Sequence, residues 1–179
     1  MPKKVIILST SLRQNGNSHA LAESFAKGVR DAGNEAEVVS LIGKTLGFCR
    51  GCFACQKIGR CVIDDDAAAI ERKVLEADVV VWATPIYYYE MSGQMKVLID
   101  RLNPLYPKDY RFRDVYLLAC AAEEETDVPR RAIEGTMGWV ECFEKARFAG
   151  CVFCGGVTDP GDIAENDKLR AAYHMGFAV

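Results

Sequence analysis

Hydrophobic residues in this chain come in five short, nearly continuous runs separated by amphipathic segments. The runs at 5–8, 37–41, 78–84, 115–121 and 148–156 contain few alternating polar positions, as is typical of strands buried on both faces. Between them, segments at about 17–32, 66–76, 91–103, 127–145 and 163–176 carry apolar residues three and four positions apart, as amphipathic helices do. The pattern therefore predicts five strands, each followed by a helix.

Repeated strand–helix units with short connections build a parallel sheet through right-handed crossovers. We therefore expect one α/β domain over residues 1–179, an open doubly wound sheet of five strands with helices on both faces. Ligands of such sheets bind beyond the carboxyl ends of the strands. Two connections, 42–65 and 104–113, are longer than usual, and long loops in compact domains are often functional.

Composition narrows the possible partners. The net charge is −3 with acids and bases interspersed, which argues against nucleic acid and against anionic membranes. No apolar run approaches the length of a membrane span, and the first residues have no leader-like hydrophobic region, so we expect a cytoplasmic protein. In that compartment the eight cysteines are expected to be reduced thiols, metal ligands or redox groups rather than disulfides.

The first strand runs into a polar loop, residues 9–18, that opens the first helix. Free backbone N–H groups converge at such a helix start and bind anions, usually phosphate. The G-x-G-x-x-G and G-x-x-x-x-G-K-[ST] patterns are absent, so neither a Rossmann dinucleotide site nor a nucleoside triphosphatase is expected. The simpler alternative is a polar turn with a helix N-cap. The predicted phosphate contacts are Ser9, Ser11, Arg13, Asn15, Asn17 and Ser18.

The third strand ends in an aromatic segment, residues 85–89, that contains three consecutive tyrosines. Successive side chains of a strand point in different directions, so the three rings cannot all enter the core. Rings that face a cleft beside a phosphate site suit a planar heteroaromatic ligand. Alternatively, the tyrosines are ordinary surface or packing residues. The predicted ring contacts are Pro85, Ile86, Tyr87 and Tyr88.

At these two segments the chain resembles the flavodoxin-like NADPH-dependent FMN reductase family. The family pattern S-x-R-x-x-x-N-[ST] is met at residues 11–18, P-[VI]-Y at 85–87, S-x-Q-x-K at 92–96 and the D-R helix end at 100–101. The resemblance covers most of the chain. It implies the flavodoxin-like strand order 2-1-3-4-5 and bound FMN, with its phosphate in the first loop and its ring against 85–89.

The resemblance also implies an oxidoreductase in which FMN carries the reaction, so no side chain is required as a general acid or base. NAD(P)H or an electron carrier would reduce the flavin, and a quinone, free flavin, an aromatic compound or a redox protein would accept the electrons. Homodimers or homotetramers are expected by the same analogy.

Ala121 and Ala122 follow the fourth strand, where the family places a third wall of the flavin site. Their backbones can approach the ring, but the next residues, 123–125, are all glutamates. These acids would repel a second anionic phosphate, which argues against a nicotinamide donor. Alternatively, they open the next helix, where acids are favoured electrostatically.

Four cysteines lie within thirteen residues of the first long connection, in the spacing C-x2-C-x2-C-x5-C. Thiolates at this density can bind an iron–sulfur cluster. A structural zinc fits less well, because its ligands usually come as two pairs with a longer gap. A reduced, metal-free loop is the third interpretation. The candidate ligands are Cys49, Cys52, Cys55 and Cys61.

The cysteine spacing is similar to that of the iron–sulfur flavoproteins, a branch of the same superfamily. That similarity implies a [4Fe-4S] cluster near FMN and an alternative function, electron transfer without turnover of a small molecule. A third hypothesis is a non-enzymatic module in which the cysteines hold zinc. The other four cysteines, at 120, 142, 151 and 154, are expected in the core, and neither histidine is assigned a role.

Overall fold

The computed structural model describes residues 1–179 and contains a parallel sheet between two layers of helices. Its strands are β1 (Lys4–Ser9), β2 (Glu35–Ser40), β3 (Val79–Tyr87), β4 (Glu90–Met91), β5 (Asp114–Cys120) and β6 (Arg147–Cys154). Its helices are α1 (Asn17–Asp31), α2 (Ala54–Ile58), α3 (Ala67–Glu76), α4 (Gly93–Arg101), α5 (Arg130–Val140) and α6 (Asp167–Phe177). No helix has both the length and the apolar character needed to cross a membrane.

The five long strands lie in the order β2-β1-β3-β5-β6 and are parallel, which confirms the predicted order. Successive residues face opposite layers. Ile7 and Val81 pack under α1, whereas the adjacent Leu8 and Trp82 pack in the core on the other face. Because both faces are covered, the strands need apolar residues at every position, and this explains their continuous hydrophobic runs.

β3 is longer than its hydrophobic run predicts. It continues to Tyr87 and turns back into β4, which was not predicted, with Ile86 paired to Met91. Tyr88 and Tyr89 form the two-residue turn, and both have positive φ angles, 51° and 65°. Such hairpin turns usually carry Asn-Gly, so two aromatic residues gave no sequence signal for the turn. The conformation costs roughly 1–2 kcal/mol per residue for L-amino acids.

The connection 104–113 contributes aromatic side chains to the hydrophobic core. Tyr110 and Phe112 are buried, and their rings lie 5.0 Å from Phe143 and 5.7 Å from Trp139, respectively. The length of this loop is therefore explained by an aromatic cluster beneath α5.

The cysteine-bearing connection contains the short helix α2 and is held from beneath by Arg101, at the end of α4. Arg101 Nη1 donates to the carbonyl of Gly47 at 2.7 Å, and Nη2 donates to the carbonyl of Ile63 at 3.3 Å. The guanidinium also forms a bidentate pair with Asp65, at 2.5 and 2.9 Å. Both side chains are buried, 0% and 5% exposed. Arg101 thus joins the two ends of the segment that carries the four cysteines.

The charge of Asp65 is stabilised from several sides. Burial alone would raise the pKa of this carboxyl, but the Arg101 guanidinium and the backbone N–H groups of Gly47 and Ala67 lower it below its ordinary value. A lowered pKa in the folded state means that the ion pair stabilises the fold above the unfolded pKa of about 3.9. This contribution is lost as the pH falls through the lowered folded-state pKa.

We predict that Asp65→Asn lowers the free energy of unfolding at pH 7 by about 3–5 kcal/mol, because it leaves a buried guanidinium unpaired. The difference from wild type should begin to shrink below about pH 4, where the carboxyl of the unfolded chain takes up a proton, and should disappear below the lowered folded-state pKa. Denaturant unfolding at a series of pH values measures both effects.

Asp109→Asn is the matched control, because Asp109 pairs with Lys145 on the exposed surface. It should leave the unfolding midpoint almost unchanged at every pH. Wild-type stability in D65N at pH 7, or a loss that persists unchanged at acid pH, would contradict the role assigned to this pair.

Candidate functional site

A cavity of about 380 Å³ lies beyond the carboxyl ends of β1, β3 and β5. This volume is within the range of small-molecule sites. Four chain segments line it: Ser11, Arg13, Gly16, Asn17 and Ser18; residues 85–89; residues 120–123; and Val157, Thr158 and Pro160. The first three were predicted from the sequence, and the fourth was not.

The start of α1 presents unpaired donors to this cavity. The backbone N–H groups of Asn17 and Ser18 have no acceptor in the chain, and the first turn of α1 contains no acid. The Ser18 hydroxyl lies beside them, also without a partner. A Cβ at Gly16 would approach the Ser11 Oγ to 3.0 Å and the Arg13 carbonyl oxygen to 3.2 Å, so glycine allows the loop to pack closely on itself before α1. The unpaired donors fit an anion such as phosphate.

The Asn17 side chain holds the fourth lining segment, which was not predicted, in place. Its Nδ2 donates to the carbonyl of Asp159 at 3.0 Å, and its Oδ1 accepts from the N–H groups of Gly161 and Ile163 at 3.2 and 3.4 Å. Arg13 Nη1 donates to the carbonyl of Thr158 at 2.6 Å. The Asn17 carboxamide therefore makes its hydrogen bonds within the protein. The backbone N–H of Asn17 is the group that remains available to a ligand.

A buried network of hydroxyls fixes the first loop to the hairpin. The Thr10 hydroxyl donates to the carbonyl of Ala83 at 3.0 Å and lies 3.1 Å from the Ser92 Oγ. Ser92 donates its backbone N–H to the Thr84 hydroxyl at 3.0 Å and caps α4 by accepting from Met95. Sequence reasoning singled out none of these three hydroxyls as site residues, although Ser92 belongs to the pattern 92–96.

The tyrosine hairpin forms the rim of the cavity. Tyr87, Tyr88 and Tyr89 all line it and are all exposed, Tyr88 to 97%. The turn at Tyr88 and Tyr89 keeps both rings out of the core. An aromatic edge beside a polar anion site is suited to a planar ligand that carries a phosphate.

The loop after β5, which contains Glu123, lies close to the loop after β6. A Cβ at Gly155 would lie 2.4 Å from the carbonyl oxygen of Glu123, so the two loops meet backbone to backbone. Glu123 lines the cavity, and its neighbours Glu124 and Glu125 are exposed. α5 begins only at Arg130, so the acids precede the helix instead of opening it. Their negative charge remains in the loop.

Ten of the twelve predicted cofactor contacts line the cavity: Ser11, Arg13, Asn17, Ser18, Pro85, Ile86, Tyr87, Tyr88, Ala121 and Ala122. Ser9 and Asn15 lie outside the lining. The Ser9 side chain is 1% exposed and its Oγ lies 3.1 Å from His19 Nδ1. Asn15 is exposed in the loop with φ 53°, so it contributes to the turn itself.

The four predicted metal ligands line a second, small cavity of about 30 Å³. Cys49 and Cys52 are exposed, Cys61 is half-buried and Cys55 is buried. No three His, Cys, Asp or Glu side chains of the chain are placed to hold a single metal ion. Two residues at the end of α4, Arg101 and Asn103, share this lining and were not identified from the sequence as part of a site.

Of the four cysteines expected in the core, the three in β5 and β6 pack there, whereas the expectation is wrong for Cys142, which is exposed just after the end of α5. Cys120 and Cys154 are aligned on neighbouring strands and both are buried. A hydrogen bond between them raises the pKa of Cys120 and lowers that of Cys154. Cys151 packs in the opposite layer, where burial raises its pKa to about 12. Because Cys151 and Cys154 face opposite sides of the sheet, they do not form a chelating pair.

Comparison with known proteins gives relatives of two kinds. The chain is 39% identical to the iron–sulfur flavoprotein MJ1083 of Methanocaldococcus jannaschii over 102 residues, 57% of this chain and 53% of that protein. It is 32% identical to the putative NAD(P)H-dependent FMN-containing oxidoreductase YwqN of Bacillus subtilis, over 94% of this chain and 93% of that protein. The chain spans about half the length of the iron–sulfur flavoproteins that it matches.

Among solved structures, the fold is similar to that of the NAD(P)H:quinone oxidoreductase from Methanothermobacter marburgensis. The TM-score is 0.73 at 18% identity, with 99% of this chain and 98% of that chain covered. The family described as NADPH-dependent FMN reductase matches residues 3–131, which include the first loop, the cysteine segment, the hairpin and the acidic loop. The chain therefore belongs to the NADPH-dependent FMN reductase family.

Proposed function

We propose that this protein is an FMN-dependent oxidoreductase that accepts a hydride from NAD(P)H. The observation that carries the proposal is the pair of unpaired N–H groups, Asn17 and Ser18, in a cavity with an aromatic rim. Family membership supports FMN as the ligand. Bound FMN supplies hydride and electron transfer, so the protein needs to bind and orient the cofactor.

Each wall of the cavity has a part in this binding. The two N–H groups, the Ser18 hydroxyl and the Arg13 guanidinium would hold the phosphate through charge-assisted hydrogen bonds. The flavin ring would lie against residues 85–88, with the backbone of Ala121 and Ala122 on its other side. The hydroxyl network beneath the hairpin keeps these two binding elements in register.

We predict that NADPH or NADH bleaches the bound flavin of the FMN-loaded protein when they are mixed without oxygen. Addition of a quinone should restore the colour and allow repeated turnover. Stopped-flow absorbance measures both phases. A flavin that is bleached only by a one-electron reductant, and never by NAD(P)H, would contradict the hydride function.

Two serines of α1 give a matched pair for the binding part of the proposal. Ser18→Ala removes a hydroxyl from the anion site and should weaken FMN binding about 10- to 100-fold. Ser24→Ala removes a hydroxyl that donates to the carbonyl of Leu169, outside the cavity, and should leave FMN affinity unchanged. Equal affinities for the two variants would count against the assigned phosphate site.

A second candidate function is electron transfer between FMN and an iron–sulfur cluster. The observation in its favour is that all four thiols of the cysteine segment line one cavity, together with a single carboxylate, Asp100 of α4. Four thiolates favour iron–sulfur chemistry or zinc over hard cations. Thiolates around a cluster bind different iron atoms and need not converge on one point, as ligands of a single ion must. Cys49, Cys52, Cys55 and Cys61 would then be the ligands.

We predict that the protein takes up about four iron and four sulfide per chain during anaerobic reconstitution, as a [4Fe-4S] cluster requires. Cys55→Ser should lose most of this uptake, because Cys55 is the buried thiol of the set. Cys142→Ser is the control, since Cys142 is exposed and lies outside the segment. Iron and sulfide assays measure the result. Zinc instead of iron, or no metal at all in the wild type, would contradict the cluster.

A further inference from the structure

The end of α4 directs two side-chain donors at the cysteine cavity. Asn103 Nδ2 donates to the Sγ of Cys55 at 3.1 Å. α4 ends at Arg101, and a short 3-10 helix, Asn103–Leu105, follows and places Asn103 against the buried thiol. An amide N–H that donates to a metal-bound sulfur stabilises negative charge on that sulfur.

The second donor is Arg101, whose guanidinium is fully buried and lines the same cavity as Cys61. One of its N–H groups, Nε, has no acceptor in the chain. A buried donor without a partner is costly, so this group points to a ligand acceptor in the adjoining cavity.

We propose that Asn103 and Arg101 are positioning residues that set the reduction potential of an iron–sulfur cluster bound by the four thiols. This inference rests on the second candidate function. Donors to the coordinating sulfurs stabilise the more negative, reduced state and raise the potential. Cys55 would carry the effect of Asn103, whereas the exposed Cys49 and Cys52 have no such donor in the chain.

The contact with Cys55 is selective. Gln56, the next residue along the segment, also carries a carboxamide, yet its side chain is exposed and bonds to no sulfur. Asn103 comes from a different part of the chain, 48 residues away, and still reaches the sulfur. Replacing each of these two carboxamides in turn therefore distinguishes the effect of the N–H···S contact from the effect of a polar side chain near the cysteines.

The test compares reconstituted wild type, Asn103→Leu and Gln56→Leu by redox titration of the cluster absorbance. N103L should lower the potential, so that at a fixed applied potential the ratio of reduced to oxidised cluster falls by about tenfold, the effect of one lost hydrogen bond to a charged group. Q56L should titrate as wild type. Should N103L take up no cluster, Asn103→Ser keeps a smaller donor and is expected to lower the ratio of reduced to oxidised cluster by less than tenfold, and an unchanged ratio would overturn the inference.

The outcomes separate the two proposals. A wild type that assembles no cluster overturns the cluster proposal, and this inference with it. A wild type with a cluster, and N103L with the wild-type potential, overturns the inference alone. Arg101→Lys keeps the buried charge but loses the bidentate fork. It also loses the Nε donor and should lower the cluster potential, and a wild-type potential in R101K would remove Arg101 from the proposal.

Discussion

Two backbone N–H groups at the start of α1 are the constraint on which the site depends. Those of Asn17 and Ser18 have no partner in the chain and belong to residues that line the cavity, so they are available to an anion. The Asn17 carboxamide does not compete for this position, because it is bonded to the loop 159–163. An anion such as phosphate is the partner that we propose for these N–H groups. The other three lining segments of the cavity then determine which molecule carries the phosphate.

Helix α4 connects the two sites of the molecule. Its N-cap, Ser92, belongs to the hydroxyl network between the first loop and the tyrosine hairpin, and its last residue, Arg101, lies beside the cysteines. Its nine residues span about 14 Å at the usual rise of an α-helix. One rigid element thus fixes the separation between the aromatic hairpin and the four thiols. A short, fixed separation is what electron transfer between two redox groups requires.

The sequence predicts the parts of this arrangement that depend on local patterns. Continuous apolar runs identify the five long strands, and their order places residues 9–18, 85–89 and 120–123 at one edge of the sheet. Tertiary contacts between distant residues leave no such pattern. The wall 157–160 is fixed by Asn17, the contact of Asn103 with Cys55 spans 48 residues, and the turn at 88–89 is formed by tyrosines instead of Asn-Gly. Ser9 fits the polar pattern of the loop, yet it is buried against His19.

The central claim is that the start of α1 binds the phosphate of FMN, and a comparison of FMN with riboflavin tests it most directly. The two ligands share the ring and the ribityl chain and differ only in the phosphate. Fluorescence titration of the flavin-free protein gives both dissociation constants. The account predicts that FMN binds at least about 100-fold more tightly, because several charge-assisted hydrogen bonds are lost with riboflavin. Equal affinity for the two ligands would contradict it.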